Sequence, residues 1–124
     1  MSLVLIIDDE DGVRAVLQDT LEAAGFATET ASNGRDGLAK YRSRRPDIVI
    51  TDVLMPKLSG IELVNRLLDE DPTARIIVMS GVVGVPFLEA GRDVGVCRIF
   101  EKPVDARLLV AAVRELLNEV PHPG

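Results

Sequence analysis

Polar residues able to do chemistry stand in this chain where apolar runs give out. Asp8-Asp9 follow Leu3-Val4-Leu5-Ile6-Ile7, Asp52 follows Ile48-Val49-Ile50-Thr51, Ser80 follows Ile76-Ile77-Val78-Met79, and Lys102 follows a run that begins at Val96. Carboxylates from neighbouring parallel strands, spaced about 4.8 Å apart, repel one another unless they are protonated or bridged by a cation. A hard divalent ion is the simplest remedy. Mg²⁺ takes a few carboxylates, keeps several waters and completes its shell with phosphate oxygens, which suits a small acidic site better than a full protein cage for Ca²⁺. A lysine and a hydroxyl beside the same ion add a point charge and a hydrogen-bond donor. Together these are parts for phosphoryl transfer, in which a carboxylate can itself be the acceptor and become an aspartyl phosphate.

Those residues need elements that hold them at one edge, and the apolar pattern supplies them. Leu3 to Ile7 reads as a buried strand. Val13, Val16, Leu17, Leu21 and Ala24 then recur at helical spacing, with Gly25 as a stop. Phe26 to Thr30 predicts a second, more exposed strand, and Ser32 or Asn33 a cap for a helix reaching about Arg42, with Leu38 and Tyr41 inward and Arg45-Pro46 as the break. After Ile48 to Ile50, Met55-Pro56 ends any ladder pairing, because proline lacks an N–H and restricts its predecessor. Ser59-Gly60-Ile61-Glu62 has the spacing of a capping box, Ile61, Val64, Leu67 and Leu68 give the inward stripe of the helix it opens, and Asp71-Pro72 ends it.

The second half repeats the alternation. Arg75 to Met79 is the fourth strand and Val96 to Glu101 the fifth. Between them Gly84, Pro86 and Gly91 allow only a short, loose helix near Phe87-Leu88-Glu89-Ala90. Leu109, Ala112, Val113, Leu116 and Leu117 mark a last helix, and Pro121 to Gly124 a frayed tail beyond a core of about residues 3–119. Alternating apolar strands and helices predict an α/β fold with a parallel sheet covered on both faces. Right-handed crossovers bring every strand C-terminus to one edge, where open sheets of this kind bind ligands.

Composition limits what such a site can serve. With 124 residues, 47% hydrophobic and 27% charged, the chain fits one globular domain. A net charge of −6 argues against a nucleic-acid groove or an anionic membrane as the main partner. The short apolar start meets acids at once, which gives neither a signal peptide nor a membrane span and makes a cytoplasmic protein the expectation. Cys97 is the single cysteine, so an internal disulfide and a cysteine-rich metal site are both ruled out, and its apolar neighbours suggest a core residue. The basic cluster Lys40, Arg42, Arg44 and Arg45 reads as a solvated helix end. Acids after the first strand could merely cap the next helix, but one cap needs one acid.

From about Leu3 to Leu117 the chain resembles the receiver domains of two-component response regulators. The resemblance rests on Asp8-Asp9, on Asp52 opening Asp-x-x-Met-Pro-x-x-x-Gly through Gly60, on Ser80-Gly81 and on Lys102-Pro103, in that order. It implies a flavodoxin-like (βα)5 three-layer sandwich with strand order 2-1-3-4-5, and phosphorylation of Asp52 by a histidine kinase or a phosphotransfer protein. It further implies Mg²⁺ held by Asp9, Asp52 and the main-chain carbonyl of Leu54, with Asp8 acting through water. Lys102 would pair with the phosphoryl group, Ser80 would turn to hydrogen-bond it, and the Lys102-Pro103 bond would be cis. Such a domain catalyses only its own phosphorylation and dephosphorylation. Output would pass to a downstream protein or effector domain through a switched surface after Ser80, with a homodimer through the last helices and strand five as one form.

Some positions depart from the family pattern. Ile99 stands where an aromatic is frequent, which argues against an aromatic inward flip, and Val104 stands where Phe is frequent. Leu54 and Val82 occupy the places that face attacking water, and neither can orient it, so slow decay of the phosphoryl group is expected. Two other readings use similar parts. A phosphohydrolase of the haloacid dehalogenase type needs a second Asp two residues after the first, where Leu54 stands. A flavin- or nucleotide-binding module needs a Gly- or Ser/Thr-rich phosphate loop after the first strand, where four acids stand instead.

Overall fold

The computed structural model describes residues 2–53, 59–81 and 98–118. Its strands are β1 (Leu3–Ile7), β2 (Ala27–Ala31), β3 (Ile48–Asp52), β4 (Ile76–Ser80) and β5 (Arg98–Glu101). The described helices are α1 (Asp11–Ala23), α2 (Gly34–Arg44), α3 (Gly60–Glu70) and α4 (Ala106–Asn118). All pairings are parallel, in the order β2-β1-β3-β4-β5, as the resemblance implies.

Because side chains alternate along a strand, the continuous apolar runs feed two cores at once. Leu5, Ile7, Val49, Ile76 and Val78 meet Leu38 and Tyr41 of α2 and Leu63, Val64 and Leu67 of α3 on one face. Val4, Ile6, Ile48, Ile50, Ile77 and Met79 meet Leu17 and Leu21 of α1 and Leu109, Ala112, Val113 and Leu116 of α4 on the other. The three central strands are therefore almost wholly buried, whereas the edge strands β2 and β5 are partly exposed.

Helix ends follow the local chemistry. Asn33, rather than Ser32, caps α2: its Oδ1 accepts from the Asp36 N–H at 2.9 Å. The helix closes on Arg45, in the left-handed region at φ 50°, before the buried Pro46. Ser59 caps α3, its hydroxyl oxygen accepting from the Glu62 N–H at 3.3 Å. At the far end of α3, Asp71 accepts from the Thr73 N–H and hydroxyl and from the Tyr41 hydroxyl at 2.9 Å, tying α2 to α3. Bonds from Thr73 and then Tyr41 hold the Asp71 carboxyl below its ordinary value. Burial first, and Asp71 second, push the Tyr41 hydroxyl up to about 12.

Three expectations need correction. Leu63 is fully buried in α3 while Ile61 is only partly covered, since the helix faces the sheet about one position round from the expected stripe. Val16 is 61% exposed although it falls at helical spacing: of its stripe Leu17 and Leu21 are buried and Val13 packs partly against the same core. The second strand runs one residue later than predicted, Ala27–Ala31, its register fixed by pairing Leu3 with Ala27. The short helix near Phe87, Cys97, the first residues of the fifth run and the tail lie outside the described residues.

Candidate functional site

Register alone brings the two central acids together. Ile7 pairs with Thr51, so the next residues, Asp8 and Asp52, leave the sheet side by side. Both are buried, at 0% and 6% exposure. Asp52 in turn pairs with Met79, which brings the buried Ser80 to the same edge. Ser80 pairs with Glu101, and its carbonyl accepts the Lys102 N–H at 2.8 Å, so the lysine leaves β5 beside the hydroxyl residue. The Lys102-Pro103 peptide is cis.

Lys102 closes the site electrostatically. Its Nζ donates to Asp8 Oδ2 at 2.8 Å and to Asp52 Oδ2 at 3.0 Å. Glu10 approaches the same Nζ at 4.0 Å. Burial alone would lower the lysine's pKa, but hydrogen bonds to Asp8 and Asp52 outweigh it and the net shift is upward, so the ammonium stays charged. Two desolvated carboxylates sharing one cation still carry a net negative charge, which one monovalent group cannot cancel.

The first acids do not cap α1 with their side chains. Asp8 Oδ1 instead accepts the Glu10 N–H at 2.9 Å, while its main-chain N–H donates to the Ala31 carbonyl at 3.1 Å. Asp9 and Glu10 are exposed and, with Asp8, offer carboxylate oxygens that all lie within 4.8 Å of one another. Hard oxygen donors of this number, open to water on one side, fit Mg²⁺. Glu10 is the member of this group that spacing alone did not single out, although it stands in the same run of acids. Leu54, the expected carbonyl ligand, lies outside the described residues, as does Val82.

Strand β3 is clamped at its exit. Asp52 Oδ1 accepts the Val53 N–H at 2.7 Å, and the Thr51 hydroxyl donates to the Asp52 carbonyl at 3.0 Å. Gly60 N–H donates to the Val53 carbonyl at 2.7 Å. A Cβ on Gly60 would fall 2.7 Å from Val53 Cα and collide with the Asp52 carbonyl oxygen, so only glycine lets α3 start this close to the acid. Beside Lys102 an apolar groove opens between α1 and the segment before α4, lined by Val13, Val16, Met79, Pro103 and Val104.

Fold and site together define a phosphoacceptor signalling domain, and comparison with known proteins agrees. The family profile described as "Response regulator receiver domain" matches residues 4–114, and the chain belongs to that family. It is 36% identical over 121 residues to the transcriptional regulatory protein CseB of Streptomyces coelicolor, covering 98% of this chain and 51% of that protein. It is 31% identical over 114 residues to sporulation initiation phosphotransferase F of Bacillus subtilis, covering 92% of each. A receiver domain protein from Clostridium thermocellum has a similar structure, with a TM-score of 0.90 at 29% identity over 95% of both chains. This chain spans about half the length of its first curated relatives. Receiver domains bind Mg²⁺ at an acidic pocket and interact with histidine kinases, phosphotransfer proteins and downstream effectors. Among the described residues no helix is long and apolar enough to cross a membrane.

Proposed function

We propose that Asp52 accepts a phosphoryl group from a phosphohistidine of a partner kinase or phosphotransfer protein. The carrying observation is the ammonium of Lys102 bridging Asp8 and Asp52, 2.8 and 3.0 Å from their oxygens. A carboxylate oxygen of Asp52 attacks phosphorus in line, the bond from phosphorus to the ring nitrogen of a phosphoimidazolium donor breaks, and the imidazole leaves neutral, keeping the proton already on its other nitrogen. Mg²⁺, when bound by Asp9 and Asp52 with Asp8 acting through water, supplies positive charge for the phosphoryl oxygens. Lys102 supplies a second positive centre and would leave its carboxylate partner for the new phosphate. The Ser80 hydroxyl, on the neighbouring strand end, would donate to the same group.

Phosphorylation would replace the Asp52 carboxylate by an acyl phosphate of greater negative charge, to which Lys102 and the Ser80 hydroxyl turn, and that change is the switch. Rearrangement beyond Ser80 would alter a surface read by a downstream protein or effector domain, in a monomer or a homodimer. The donor reaches Asp52 from the open sheet edge, and the groove beside Lys102 offers apolar surface for its approach.

Intact mass after incubation with acetyl phosphate and Mg²⁺ tests the reading. One added phosphoryl group is expected in the parent and none in Asp52→Asn. An unmodified parent, or an equally modified variant, would overturn it.

A further inference from the structure

Arg14 belongs to α1, one turn beyond the acids, and none of the steps above uses it. Its side chain is only 17% exposed, unusual for a helix-surface arginine in an acidic protein. The guanidinium is fixed at two points. One nitrogen donates to the Asp8 main-chain carbonyl at 2.6 Å. The other pairs with the Asp11 carboxylate, on an otherwise exposed side chain.

The carbonyl that Arg14 grips is half of the Asp8-Asp9 peptide unit. Because that unit is planar, holding its oxygen fixes the direction in which the chain enters Asp9. Asp8 is held independently by its N–H, by Oδ1 and by Oδ2. Among the described residues no hydrogen bond restrains the Asp9 side chain, so the aim of that carboxylate depends on its backbone. We propose that Arg14 is a positioning residue for the metal site: it aims the Asp9 carboxylate through the Asp8-Asp9 peptide and so sets divalent-ion affinity. This inference rests on the metal-dependent reading above. Groups that hold ligands, without touching the metal, typically contribute about 10–100-fold to affinity.

The charge of Arg14 works in the opposite direction. A cation this close to the acids repels a divalent ion, so removing it on charge alone would tighten binding. The two accounts therefore predict opposite signs. Mn²⁺ binding, followed by the electron paramagnetic resonance of the free ion, should be about tenfold weaker in Arg14→Ala. Arg14→Lys retains the charge but loses the fork that grips both acceptors, and should be weakened several-fold. With Mg²⁺ raised to saturation, the rate of phosphorylation by acetyl phosphate should return close to that of the parent in both variants. A general structural role would lower the saturated rate as well.

If the parent binds no Mn²⁺, the metal-dependent reading itself fails. If the parent binds it and both folded variants bind equally well or more tightly, the role given to Arg14 is wrong. Should Arg14→Ala not fold, Arg14→Lys decides alone, because it keeps both length and charge.

Discussion

Replacing Lys102 by Met keeps most of the side chain's bulk and removes the one ammonium that bridges Asp8 and Asp52. Both acids are buried, and both touch the same Nζ, so their Oδ2 atoms lie within about 6 Å of each other. At an effective dielectric near 20 that separation leaves about 3 kcal/mol of uncompensated repulsion. Removing one partner of a buried charge pair generally costs about 3–5 kcal/mol, and the partial exposure of the lysine favours the lower figure. Urea unfolding at neutral pH without divalent ions should therefore show a midpoint lower by about 1–2 M. Two manipulations should reverse the loss. Millimolar Mg²⁺ should restore a large part of it, and so should adding Asp52→Asn, which removes one of the two opposed charges. In the parent background Asp52→Asn should shift the midpoint less than Lys102→Met does, because it removes the repulsion with Asp8 and the amide oxygen still accepts from Val53, although the bond to Lys102 is lost. A Lys102→Met midpoint equal to that of the parent in the absence of metal would refute the electrostatic account of the site.

Gly60→Ala should destabilise the fold by about 1–3 kcal/mol and slow phosphorylation, since its Cβ strikes the backbone that carries Asp52; Gly37→Ala, which meets the end of the flexible Ile7 side chain, should cost less. Equal melting temperatures for the two variants would contradict this. Tyr41 is the only tyrosine and there is no tryptophan, so its ionisation can be followed directly by ultraviolet absorbance. Its folded pKa, raised to about 12, favours the neutral form. That contribution to stability is complete below the unfolded value near 10 and is lost as pH rises through about 12, at about 1.4 kcal/mol for each pH unit between the two values. Tyr41→Phe should flatten that alkaline limb, and an unchanged limb would count against the upward shift that burial and Asp71 give Tyr41.

Much of this arrangement was legible in the chain because two periodicities agree. Unbroken apolar runs such as Leu3–Ile7 and Ile76–Met79 suit strands covered on both faces, and the polar residue ending each run marks the sheet edge. Asp8, Asp52, Ser80 and Lys102 converge for that reason. Local spacing could not tell whether α3 faces the sheet through Ile61 or Leu63, because both fit a helical stripe and tertiary packing decides. Nor could it find the exposure of Val16, which lines the open groove between α1 and the segment before α4. Arg14 had a readable hint, since it follows Asp11 at the spacing of neighbours on a helix. Its grip on the Asp8 carbonyl is a main-chain contact, and sequence spacing carries little information about those. Gly60 was read as part of a motif, but the reason for it, the Asp52 carbonyl beneath the start of α3, is visible only in three dimensions.

Lys102 and Asp8 touch although 94 positions separate them, and 50 separate Lys102 from Asp52. No fragment that ends before β5 can offer a phosphodonor both the acids and the ammonium. On the proposed function, labelling of Asp52 would thus certify complete assembly, and a half-made or locally melted copy would stay silent rather than send a false message.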